Sequence, residues 1–116
     1  MEALTIPAVV LTFLLHLGCT PVQEAYLVDE IVHPVDPTAV VDGAYCYRVE
    51  EPYCPKERAV FIVKGSHDST STLVHELWHS CQEQASFKSP EWMRNEAEAR
   101  AIESYWKMHR ARKYTW

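Results

Sequence analysis

Glycine is scarce, with three in 116 residues. That leaves little material for a backbone loop around phosphate, and neither G-x-x-x-x-G-K-[ST] nor G-x-G-x-x-G occurs. Cations are also few. Eleven Lys and Arg stand against sixteen Asp and Glu, a formal charge of −5, and the first cation in the chain is Arg48. A chain with this balance is not built to follow a phosphate backbone, so no nucleic-acid partner is expected. The four cysteines contain no C-x-x-C, which excludes a zinc ribbon and a thioredoxin motif. No apolar run reaches the roughly 20 residues that span a bilayer. Internal repeats and low-complexity tracts are absent as well.

What is present is ordinary globular composition, 47% hydrophobic and 23% charged. The length fits one domain, which can bury roughly two-thirds of its unfolded surface. The chain divides into an apolar N-terminal segment, residues 1–20, and a single domain over 21–116. Ile6 to Gly18 is the most apolar stretch and has two readings. Its length suits a secretory h-region, and Leu17-Gly18-Cys19 is similar to the end of a lipoprotein signal, which would attach the chain to a membrane from a secreted or periplasmic position. Against this, Glu2 stands where such signals carry Lys or Arg. The other reading is a core helix with Pro7 in its first turn.

Short strands are expected at Tyr26–Val32, Ala44–Val49 and Ala59–Val63, from their apolar and β-branched content. Cys46 and Cys54 bracket a turn-like segment, and a disulfide across it fits an oxidising compartment. Two helices follow. The first runs from about Ser69 to Gln84, with Asp68 or Ser69 as N-cap. The second starts at Ser89-Pro90-Glu91 and continues to about Arg112, with no internal Gly or Pro. Its basic end, Lys107 to Lys113, complements the helix dipole. Strands followed by helices make the fold class α+β.

The first of these helices contains His75-Glu76-Leu77-Trp78-His79, an H-E-x-x-H sequence. Two histidines at i and i+4 lie one turn apart on one helix face, so both imidazoles can reach one metal ion. Glu76, on the adjoining face, can take a proton from water on that metal. A catalytic zinc needs a third protein ligand, and the next helix offers Glu91, Glu96, Glu98 and Glu103. With about 100° per residue, Glu96, Arg100, Glu103 and Lys107 share one arc, where acid-before-base i,i+4 pairs mark a solvated face. Glu98 falls among Tyr105, Ile102, Trp106 and Ala99, on the apolar face. A lone carboxylate there is costly unless it is paired or binds metal. Glu98 is therefore the expected third ligand, with Glu96 as the substitute. Cys81 is expected to be a small buried apolar residue, since it points away from the histidine face.

His75 to His79, with Glu98 nineteen residues beyond, resembles the gluzincin branch of zinc metallopeptidases. Glu96-Ala-Glu98-Ala99 is similar to the E-x-E-A stretch of several small bacterial and phage H-E-x-x-H proteins. Leu73 to Gln82 resembles the H-E-L-x-H-x-x-Q form of their active helix. The resemblance covers about residues 59–106. It implies a Zn²⁺ held by His75, His79 and Glu98, with Glu76 as general base acting on a peptide or protein substrate. It also implies a strand whose edge holds extended substrate, matched here by Ala59–Val63. Family members use a Tyr or His against the oxyanion; Tyr105, His109 and His67 are candidates, and none sits in a matching motif. The rival expectation is a zinc-binding structural or interaction module without turnover, because 116 residues leave little room for the far wall of a peptidase cleft.

Overall fold

Ala59–Val63 (β4) is the centre of the sheet, and the first four of its five residues are buried. A continuous apolar run of this kind belongs to a strand covered on both faces. The structure is a computed structural model that describes residues 1–50 and 54–109. In it Ala25–Val28 (β2) pairs parallel with β4, and Gly43–Cys46 (β3) pairs antiparallel along its other edge. Glu2–Ala3 (β1) adds to the outside of β2, giving a mixed sheet of order β1-β2-β4-β3.

Two strands are shorter than the sequence implies, for one reason. Val28 lies opposite Val63 and Cys46 opposite Ala59, the two ends of β4. Beyond those points β2 and β3 have no partner backbone, and β propensity alone does not hold a strand. Gly65, at φ +72, turns the chain away after β4.

The helices cover one face of the sheet. Ala8–His16 (α1) follows Pro7, which lies just before the helix and not in its first turn. It buries Val10, Phe13 and Leu14, the i, i+3, i+4 pattern of an amphipathic contact. Ser69–His79 (α2) starts after Asp68, whose left-handed backbone (φ 51) comes with no side-chain capping bond. Pro90–His109 (α3) does have a side-chain cap, since the Trp92 N–H donates to Ser89 Oγ at 3.1 Å. Leu4, Val10, Leu14, Val60, Ile62, Leu73, Leu77 and Trp106 meet in one core. The N-terminal segment thus shares its core with the rest of the chain. No helix among the described residues is long and apolar enough to cross a membrane. On the other face, Phe61 and Ala59 pack with Cys46 and Cys54.

All four cysteines are paired, Cys46 with Cys54 and Cys19 with Cys81. The second pair corrects the expectation for Cys81. It is an exposed residue tied to the buried Cys19, and not a small buried apolar filler. It also accounts for the early end of α2, which stops at His79 and not near Gln84. The Ser80 hydroxyl donates to the Leu77 carbonyl at 2.6 Å, and the next residue is held by the disulfide. The basic stretch expected at the C-terminus lies largely outside the described residues, as does the side chain of His109.

Candidate metal centre

His75 and His79 sit one turn apart on α2, and their Nε2 atoms are 3.2 Å from each other. Both face one carboxylate. Glu96 of α3 places Oε1 2.9 Å from His75 Nε2 and Oε2 3.1 Å from His79 Nε2. The other ring nitrogens are also engaged. His75 Nδ1 donates to Glu103 Oε1 at 2.8 Å, since an ionised carboxylate can only accept. His79 Nδ1 lies 2.6 Å from Gln82 Oε1. The orientation of that amide follows from its other end: Gln82 Nε2 donates to the Asn95 carbonyl at 2.9 Å and to Glu98 Oε1 at 3.0 Å. His79 Nδ1 is therefore the donor as well.

With both Nδ1 atoms donating outward, both Nε2 atoms converge on Glu96. Ligand atoms of His75, His79 and Glu96 all lie within 4.8 Å of one another. Two imidazoles and a carboxylate are a donor set that suits zinc. Outward partners that fix ring orientation are what such a centre requires of its surroundings. The residues present fit a metal.

Glu98 is not brought to the histidines. It is exposed and accepts from Trp78 Nε1 at 2.8 Å and from Gln82 Nε2. This corrects its placement on the apolar face. The reason is that α3 buries two arcs. Ala99 and Trp106 enter the core, while Glu96 and Glu103 face α2. The arc read as solvated does contain its ion pairs, Arg100 to Glu96 at 3.6 Å and Lys107 to Glu103 at 3.0 Å. Those cations lie at the rim, and the same carboxylates turn inward to the imidazoles. From sequence, Glu103 falls on the solvated arc and Gln82 is only the end of a motif, so neither is expected to orient an imidazole. The available signals were the i,i+7 spacing of Glu96 and Glu103 and the position of Gln82 three residues past His79.

The charges follow from these contacts. Burial pushes the His75 imidazole down, but hydrogen bonds to Glu103 and Glu96 outweigh it and raise it to about 10. His79 is likewise raised, burial opposing and Glu96 prevailing. Glu96 is held far below the usual carboxylate range by His75 and His79. Burial raises Glu76, against the pull of the two imidazoles.

Glu76 lines a cleft of about 1120 Å³ that runs past the three candidate ligands. β3 forms one side of it. Gly43 approaches α2 so closely that an added Cβ would sit 2.6 Å from Thr72 Cγ2 and 3.2 Å from Glu76 Cγ. Gly43→Ala is expected to cost about 1–3 kcal/mol by overpacking and to shift Glu76. Urea unfolding reads the first effect, and an unchanged midpoint would show that the strand gives way freely. β4, the strand matched to a substrate-holding edge, is paired on both sides; the sheet edge beside the cleft belongs to β3. Of the oxyanion candidates, Tyr105 packs on Phe13, with ring centroids 5.6 Å apart, and His67 is exposed in the turn before α2.

Fold and site together define a small α+β domain carrying a His/His/Glu group that can hold a metal. No family model, no curated protein and no solved structure matches the chain.

Proposed function

We propose that the protein is a zinc-dependent peptidase, with His75, His79 and Glu96 holding the metal and Glu76 as general base. One observation carries this reading: both Nε2 atoms point at the same carboxylate while both Nδ1 atoms are anchored elsewhere. Zinc in such a site supplies Lewis-acid polarisation of a carbonyl and acidifies water. The chain's own groups do the rest. Glu76, inside the cleft, takes the proton of the attacking water and passes it to the leaving amine. Glu103 and Gln82 keep the two imidazoles in one tautomer and orientation. The edge of β3 offers backbone groups to an extended peptide.

The test is Glu76→Gln in zinc-loaded protein digesting a mixed peptide pool, followed by mass spectrometry. Turnover is expected to fall by about 10²–10⁴-fold with zinc content unchanged. Loss of zinc in this variant would contradict the role given to Glu76. If wild type holds zinc and cleaves nothing, the site belongs to a non-catalytic binding module.

A further inference from the structure

Two exposed apolar side chains and a half-buried tryptophan gather at one end of the cleft. Phe87, in the loop after α2, is 49% exposed. Its ring meets Trp92 of α3 edge-on, with centroids 5.0 Å apart. The β2–β3 connection, which also lines the cleft, presents Val35, 69% exposed. Single exposed apolar residues need no explanation, but a group converging on one concave site does. The two segments also touch, His33 meeting Phe87 edge-on at 6.0 Å. The β2–β3 connection is held by its own side chain, since His33 Nδ1 accepts the N–H groups of Val35 at 3.1 Å and Asp36 at 2.9 Å.

The spacing ties this end to the metal site. Trp92 lies four residues before Glu96 on α3, one turn away on the same face and so roughly 5–6 Å along the helix. An extended peptide places same-side residues about 6.6 Å apart. A peptide lying along β3 with a carbonyl at the metal would thus carry a neighbouring side chain to Phe87 and Trp92.

We infer that Phe87 and Trp92, with Val35 held beside them through His33, form a pocket for a bulky apolar side chain beside the bond to be cleaved. The inference rests on the peptidase reading and specifies its substrate class: peptides bearing aromatic or large aliphatic residues at that position.

Binding of peptidyl hydroxamates to zinc-loaded protein, measured by calorimetry, tests the pocket without requiring turnover. Two compounds are compared, one carrying a benzyl side chain and one a methyl. Wild type is expected to prefer the benzyl compound by about 10–100-fold. Phe87→Ala and Trp92→Ala should reduce that ratio to within about threefold while keeping zinc. Phe87 sits in an exposed loop, so its variant guards against a folding defect in the other. Met93→Ala, exposed on α3 outside the cleft, should keep the full ratio. Equal affinity for both compounds in wild type, binding of neither, or a preference that survives both variants would overturn the pocket. A benzyl preference without hydrolysis of any peptide would instead sink the peptidase reading and leave the pocket standing. Hydrolysis without apolar preference would do the reverse.

Discussion

Glu96→Ala is expected to strip zinc from the protein, and Glu98→Ala to leave it in place. Glu96 is the carboxylate that meets both Nε2 atoms. Removing it leaves two imidazoles and no anionic ligand. Loss of an outer partner of a metal ligand typically costs 10–100-fold in affinity, so loss of a ligand itself should exceed about 100-fold. Glu98 accepts from Trp78 and Gln82, not from either imidazole, and Gln82 keeps a second anchor at the Asn95 carbonyl. Its loss should cost no more than about 10-fold, the low end of the outer-partner range. Zinc per chain by elemental mass spectrometry, with a chelator competition for affinity, reads both. Zinc retained in Glu96→Ala and lost in Glu98→Ala would return the third ligand to Glu98. The measurement belongs at controlled pH. In the metal-free chain Glu103 and Glu96 hold His75 protonated up to about 10. Zinc must displace that proton, so affinity should rise with pH and uptake should release protons.

Breaking the Cys19–Cys81 disulfide should cost the domain about 4 kcal/mol. The bond closes a loop with a sequence separation of 62. A cross-link of that span removes much of the unfolded chain's freedom, more than Cys46–Cys54 with its separation of 8. Domains of this size are stable by only about 5–15 kcal/mol, so the loss is a large fraction. A local effect should accompany it. Cys81 lies between His79 and Gln82, and freeing it loosens the residue that orients His79. The comparison is urea unfolding of oxidised wild type against Cys19→Ala/Cys81→Ser, with metal removed from both. Apolar replacement at position 19 respects its burial. Coincident unfolding curves would show that the disulfide does not constrain the unfolded chain as described.

The positions of β4, α2 and α3 are legible in the sequence because each carries a local signal. β4 is an unbroken apolar run, and α3 begins at a Ser-Pro-Glu start. The H-E-x-x-H spacing places two imidazoles on one helix face whatever surrounds that helix. The limits of β2, β3 and α2 are not legible, since they depend on partners. Strands end where β4 ends, and α2 ends where Cys81 meets Cys19.

The third candidate ligand shows the same division. The sequence by itself determined a small α+β domain with two histidines on one helix face and four glutamates within reach on the next helix. A helical wheel assigns one apolar face inward and treats the rest as solvated. Here α3 packs along two arcs, and the second is lined with histidines, not aliphatic residues. Which carboxylate turns inward is set by the angle at which α3 lies on α2. That angle is fixed where α3 buries Ala99 and sends Trp106 into a core with Leu4, Val10, Val60 and Leu73, residues far apart along the chain. Long-range packing of this kind leaves no trace in local spacing, and so only the tertiary structure shows that Glu96, and not Glu98, faces the two imidazoles.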